Sequence, residues 1–252
     1  MNDRRPQLQA GFVLHHRPYR DSSLILHVFS REQGRLALVA RGARRPKSQQ
    51  RGLLQAFRPL LLSWRLGGEM GTLTAVEGDG AAYTLQGDRL LAGFYINELV
   101  LRLCGRHDPH PALYDLYRDS LAALDSAQAL SSVLRSFEKE ALACLGYALP
   151  LAEHCLDGSP IEADRRYRFD VEAGAQPLSL EETARGYSGR TLLALLHDDW
   201  TDRAAMAEAR RLLASALSPH LGGQPLKTAQ VLRNLRRRGF SDGDRENSSK
   251  GK

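Results

Sequence analysis

The sequence predicts an α+β fold: a small N-terminal barrel or sandwich, then a mostly helical region carrying a short hairpin insertion. Two patterns and one charge asymmetry lead there. Five short apolar-rich runs, at roughly ten-residue spacing and divided by turn residues, fill the first part of the chain. After about Gly80 the character changes to helices, with a nearly all-apolar segment, an apolar stripe and runs of good helix formers. The positive charge is concentrated in the first of these regions. The organisation expected is residues 1–80 as the β domain, 81–240 as the helical domain with its insertion at about 150–187, and 241–252 as a disordered tail.

The strand candidates are Leu8–His16, Ser22–Ser30, Gly34–Ala40, Leu60–Leu66 and Thr72–Glu77. Arg17–Asp21 and Arg31–Gly34 supply turns between the first three, and Gly67–Gly71 joins the last two. Between the third and fourth lies Arg41–Gln55, a long polar connection with hinges expected at Gly42 and Gly52. Connections of that length are usually mobile or functional.

The helical candidates begin with Asp88–Cys104, apolar on nearly all sides and therefore central, with Glu98 and Arg102 as an i,i+4 pair. Pro111–Leu124 and Ser131–Leu145 follow, the latter with Leu134, Phe137, Ala141 and Leu145 on one stripe and a stop at Gly146. Tyr167–Val171 with a turn at Gly174 reads as a hairpin. Gly189–Leu196, Asp202–Leu217 and Thr228–Arg237 are the remaining helices.

The chain has 252 residues, 42% apolar and 25% charged, enough for a real core and unlike a disordered chain. No apolar run approaches a membrane span of about 18 residues. The stretch Ala10 to Leu14 is too short for a signal-peptide core. Three widely spaced cysteines, Cys104, Cys144 and Cys155, argue against a disulfide scaffold and for a reducing, cytoplasmic compartment.

Charge speaks more directly. Met1 to Leu66 holds thirteen Lys and Arg against three acids, while the remainder is net negative within a total of +6. Twelve of the thirteen are arginine, which suits bidentate phosphate contact. A polyanionic partner follows, with nucleic acid favoured over an anionic membrane or a merely repulsive surface. Tyr19, in a turn beside Arg17 and Arg20, is the base-stacking candidate. Phe12, Phe29 and Trp64, at strand-interior positions, read as core.

No catalytic constellation is found. The phosphate-loop, nucleophile-elbow and His-Glu-x-x-His patterns are all missing from the sequence. Asp198-Asp199 and Glu181-Glu182 read as solvated surface. Cys104, His107 and His110 have metal-like spacing, but fall in a loop context with too few ligands for zinc. Neither enzyme, cofactor nor metal is expected.

Several segments, in order, carry a family resemblance. Gly11-Phe12-Val13-Leu14-His15-His16-Arg17-Pro18-Tyr19, Ser22-Ser23-Leu24, Val28-Phe29-Ser30, Gly34-Arg35-Leu36 and Leu38-Val39-Ala40-Arg41-Gly42-Ala43-Arg44-Arg45 resemble the start of the RecO family of bacterial DNA repair proteins. Phe57–Leu62, Tyr95–Leu99, Phe137-Glu138, Leu145-Gly146-Tyr147 and Leu221–Thr228 continue the likeness, which covers roughly residues 8–235. It implies an N-terminal OB-fold, a helical domain and, in some members, a zinc module with paired cysteines; here only His154-Cys155 stand in that region. It also implies a non-enzymatic, nucleoid-associated mediator. Such a protein binds single- and double-stranded DNA, anneals complementary strands, binds the C-terminal tail of single-stranded-DNA-binding protein (SSB), and loads RecA with RecR and often RecF.

Arg35, Arg41, Arg44, Arg45, Lys47 and Arg51 are the expected phosphate contacts, screening strand repulsion by replacing condensed counterions. By resemblance, Arg135 is the cation for the SSB tail carboxylate. The competing reading of Arg135 is an exposed helix arginine paired with a neighbouring acid such as Glu138 or Glu140, the latter a partner for Lys139. Arg233, Arg236, Arg237 and Arg238 are either further DNA contacts or cations favoured at a helix C-terminus. An RNA-binding or general single-strand-binding OB protein is the second functional reading, because such a groove does not by itself tell RNA from DNA.

Overall fold

The computed structural model describes residues 7–68, 70–179 and 186–231. Its N-terminal part is a closed five-stranded barrel of β1 (Gln9–Tyr19), β2 (Ser23–Ser30), β3 (Gly34–Ala40), β4 (Leu60–Arg65) and β5 (Gly71–Gly78). The order around the barrel is β1-β2-β3-β5-β4, with β1 returning to pair with β4. Only the β3–β5 contact is parallel, and the short α1 (Gln50–Leu53) lies between β3 and β4. This is the OB-fold arrangement. Alternation explains it: Leu24, Leu26 and Val28 of β2 and Leu36, Leu38 and Ala40 of β3 fill the barrel together with Leu60, Leu62 and Leu73.

Two local expectations change. Arg17 to Tyr19 is strand rather than turn, pairing with Ile25, Leu24 and Ser23 of β2. Pro18 is tolerated there because β1 pairs with β4 only through Gln9 to Gly11, leaving that part of its other edge free of a ladder. The connection after β3 is pinned rather than loose: Ala43 and Leu54 are fully buried in the barrel core. Gly42 has the left-handed backbone of a hinge at φ +69, whereas Gly52 lies within α1.

The helical part comprises α2 (Gly87–Leu103), α3 (Pro111–Leu124), α4 (Leu130–Cys144), α5 (Gly189–His197) and α6 (Arg203–Leu217). Pro111 opens α3 at a position where a missing N–H costs nothing. Ser188 caps α5 through Thr191 N, and Asp202 caps α6 through Ala204 N and Ala205 N. Residues 227–231 are helical, and Glu98 receives Lys227 N and Thr228 N while also pairing with Arg102 at 3.2 Å. The rest of that last predicted helix, Arg233, Arg236, Arg237 and Arg238, the tail and Glu181-Glu182 lie outside the described residues.

The insertion is a three-stranded sheet of β6 (Arg166–Asp170), β7 (Gly174–Pro177) and β8 (Tyr187–Ser188), ordered β7-β6-β8. Glu208 of α6 ties it down, accepting from Arg166 at 2.6 Å, Ser188 N at 2.8 Å and Thr191 Oγ1 at 2.9 Å. Burial alone would raise that carboxyl; the donors outweigh it and hold it down to about 2.

One seam joins barrel to helices. Phe12 and Phe29 are fully buried, as core residues should be, but on the outside of the barrel. They face each other across β1 and β2 and pack on Tyr114 and Tyr117 of α3, with ring centroids 5.1 to 6.0 Å apart. A bulge between Val13 and His15 leaves Leu14 without a partner across the strand pair. Its carbonyl accepts from Asn97 Nδ2 at 2.8 Å, and Asn97 Oδ1 accepts from Tyr117 at 2.7 Å. Elsewhere on the seam Phe57, at φ +63, sets its ring against Gly93 of α2, where a Cβ would come within 2.9 Å of it. Gly34, at φ +66, lies so close to Asp108 that any side chain would collide with that backbone. Arg31 completes the contact with a bidentate pair to Asp115.

Asn97→Ala leaves a buried carbonyl and a buried hydroxyl unpaired, and is expected to cost about 2–4 kcal/mol of stability in urea unfolding. Arg31→Ala, at a half-exposed pair, should shift the same curve less.

Candidate nucleic-acid interface

At the end of the barrel where β1 turns into β2, the chain forms a cleft of about 400 Å³. Tyr19, Arg20, Arg41 and Arg45 line it with Ser22, Ser23, Val39, Gly42 and Thr72. Neighbouring strands bring them together: Tyr19 faces Ser23, and Val39 pairs with Thr72 across the parallel β3–β5 contact. Arg41 follows directly on the end of β3. Arg45 is placed by a turn in which its N–H donates to Gly42 O at 3.1 Å, and its guanidinium stem lies over Gly42.

The cations here differ from those of the seam. Arg20, Arg41, Arg44, Arg45, Lys47 and Arg51 are exposed, and none forms an ion pair among the described residues. Arg44 donates to the Arg20 and Asp21 carbonyls, both at 3.3 Å, fixing its direction without neutralising its charge. Arg20 lies over the Tyr19 ring at 5.2 Å, so one face of the tyrosine is already occupied by a cation. Arg65, opposite Thr72, and Leu66, 67% exposed, carry the rim into the β4–β5 connection. At Gly67 in that connection an added Cβ would meet nothing within 4 Å.

Of the seven residues expected to contact DNA, the cleft gathers Tyr19, Arg41 and Arg45 directly, with Arg44 beside them. Lys47 and Arg51 stand farther along the same connection, Arg51 in the last turn of α1. Arg35 is elsewhere, half-buried near the seam, with its Nε donating to Cys104 O at 3.0 Å. Burial first, then Arg106, lowers its pKa. Arg20, Ser22, Ser23, Val39, Gly42 and Thr72 also line the cleft without having been expected to contact DNA. Arg20 was legible as a charge in a hairpin turn; Thr72 needed the β3–β5 pairing.

Arg135 is buried, 6% exposed, rather than an exposed helix arginine. It donates to Glu138 Oε1 at 2.5 Å, which also accepts from Tyr95 at 2.7 Å. Burial drives the Glu138 carboxyl up, against the opposing pull of Arg135 and Tyr95. The Nε of Arg135 has no hydrogen-bond partner.

The metal-like spacing does not assemble. Cys104 is buried with its thiol pushed up to about 12 by that burial, and His110 pairs with Asp108 at 3.1 Å. His154 is exposed while Cys155 is buried, and the described residues contain no cluster of three or more groups able to hold a metal. These donors do not make up a zinc site. No helix among the described residues is long and apolar enough to cross a membrane.

Comparison with known proteins decides the family. Residues 6–79 match the family described as Recombination protein O N terminal, and residues 85–230 match Recombination protein O C terminal. The chain belongs to the RecO family. Its relatives include a protein named DNA repair protein RecO from Burkholderia lata, 44% identical over 236 residues, covering 93% of this chain and 84% of the relative. Another of that name from Azoarcus sp. is 42% identical over 231 residues, 90% of this chain and 95% of its own. One from Nitrosococcus oceani is 44% identical over 237 residues, 93% and 96% respectively. RecO is thus a DNA repair and recombination family whose N-terminal match coincides with the barrel and whose C-terminal match covers the helices.

Removing Arg135 takes the directly bonded cation from the buried Glu138 carboxyl and leaves it Tyr95 and the field of Arg210, so Arg135→Ala is expected to cost about 3 kcal/mol. Arg135→Gln combined with Glu138→Gln should recover most of that in thermal unfolding, since the two effects are coupled.

Proposed function

We propose that this chain is a recombination mediator that binds single- and double-stranded DNA and anneals complementary strands without catalysis. The observation carrying this reading is the cleft, where unpaired arginines surround one tyrosine on an OB barrel. Annealing requires two polyanions to approach while their bases stay open. Arginines that release counterions from phosphates meet the first need. A barrel face that leaves the bases unburied meets the second. Arg41, Arg44 and Arg45 hold phosphates at the cleft, Lys47 and Arg51 extend the track, and Tyr19 stacks a base once Arg20 yields that ring face. Arg35 reaches DNA only at the seam end of the barrel.

The family relationship supports the partners: the SSB C-terminal tail, RecR and often RecF, acting in RecA loading. For the tail, Arg135 is the proposed recipient of the terminal carboxylate, a charge-assisted contact on the cation that Glu138 already holds in place.

Two measurements test this reading. If about six phosphates are neutralised, the logarithm of single-strand affinity should fall with log salt at a slope of about −4. Arg41→Ala with Arg45→Ala should make that slope shallower by about 1.4. A slope near zero in the wild type removes the cleft as the DNA site. In the second, complementary fluorescent oligonucleotides coated with SSB should anneal faster with the protein, and lose that acceleration when the SSB tail is deleted. Acceleration that survives tail deletion removes the tail from the mechanism. The Arg135→Gln, Glu138→Gln protein should bind tail peptide more weakly and naked DNA normally; equal loss of both assigns Arg135 to the fold alone.

A further inference from the structure

The outer face of the β1–β2–β3 sheet carries a second set of cations beyond the cleft. The bulge at Leu14 turns His15, Arg17 and Tyr19 onto one face of β1, opposite His27, Ile25 and Ser23 of β2. His27 in turn lies opposite Ala37 of β3, two residues from Val39 in the cleft wall. Between the strand ends the surface floor is apolar, with Ile25 and Ala37 buried. At the end away from the cleft stand Arg35 and Arg106, brought together by a bridge between their backbones. One face therefore runs from Tyr19 and Arg41 to Arg106, with arginines at both ends and a histidine pair between.

The pair itself is unspent. The rings of His15 and His27 lie 5.9 Å apart between centroids, tilted by 45°. Among the described residues neither forms a hydrogen bond or an ion pair. The charges acting on them are His16 and Arg17 from β1, Arg35 from β3, and Arg106 from the α2–α3 connection. Asp108, the acid of that connection, is engaged with His110. Burial, then these cations, lowers the pKa of both imidazoles, so the free protein holds the pair neutral at neutral pH. A divalent metal would be repelled by the same three arginines. A phosphodiester would be attracted by them.

We propose that a single strand leaving the cleft runs along this face, and that His15 and His27 contact its phosphates as a protonatable cation pair. This rests on the cleft being the DNA site. A phosphate beside an imidazole stabilises the protonated ring, so binding takes up protons, and by linkage affinity rises as pH falls. Each protonated ring adds one counterion-releasing contact to those of the arginines.

The test is anisotropy of a dye-labelled oligothymidylate, whose bases do not protonate over this range, titrated at pH 7.5 and pH 5.0 across a salt series. Circular dichroism at both pH values verifies the fold. The wild type is expected to bind about tenfold more tightly at pH 5.0 and 0.1 M salt, with a salt slope steeper by up to about 1.4. His15→Gln with His27→Gln should abolish that gain and leave affinity at pH 7.5 within about twofold. A double variant with the wild-type pH response, or a wild type with none, overturns the proposal while leaving the cleft standing. Loss of binding at both pH values in Arg41→Ala, Arg45→Ala shows the cleft reading holding independently. No wild-type binding at either pH overturns both.

Discussion

The pair of hydrogen bonds made by Asn97 is the constraint on which the barrel face and its helical support both depend. An extra residue in β1 is needed if Phe12 is to face α3 while His15, Arg17 and Tyr19 continue on the outer face. That extra residue is Leu14, and it leaves a carbonyl without a strand partner inside an apolar seam. A buried unpaired carbonyl is expensive, so the bulge is stable only where a donor meets it. Asn97 supplies the donor from α2, and Tyr117 of α3 holds the amide in orientation from its other side. Two helices therefore fix one irregularity in a strand, and the outward aim of the basic face follows from that docking.

The arginines sort by what they touch. Arg31 and Arg135 meet carboxylates, Arg35 a carbonyl at the seam; all three contribute to holding parts of the chain together. Arg20, Arg41, Arg45, Lys47 and Arg51 meet no acid, and remain solvated and available. Composition could show that the first quarter is basic, but not which cations were already committed. The distinction matters for phosphate binding, because an arginine engaged with Asp115 must lose that partner before it gains another.

Much of the architecture was legible because alternation and helical period are local. Ser22 to Ser30 reads as a strand and Pro111 to Leu124 as a helix from their own residues, and the structure shifts only the strand's start, to Ser23. The OB arrangement came from the family resemblance, since local patterns alone left barrel and sandwich open. What was not legible depends on pairings between distant residues. Pro18 looks like a turn until the edge of β1 is seen to be unladdered. Phe12 and Phe29 look like barrel filling until the bulge and Tyr114 are known. The cleft was half visible: Tyr19, Arg41 and Arg45 stand out as charges and a ring in polar segments. Thr72 joins them only through a parallel strand contact that no local pattern announces. The burial of Arg135 escaped for the same reason, since its partner Glu138 is shared with Tyr95 on another helix.

The open space at Gly67 has a practical meaning for spectroscopy. A side chain there would point into solvent from the β4–β5 connection, one residue from Leu66 and two from Arg65. Two of the three native thiols, Cys104 and Cys155, are buried, and Cys144 is half-buried. A single engineered thiol at Gly67 would therefore take a maleimide dye in preference to the native ones, and report a strand entering the cleft from its rim without touching the arginines that hold it.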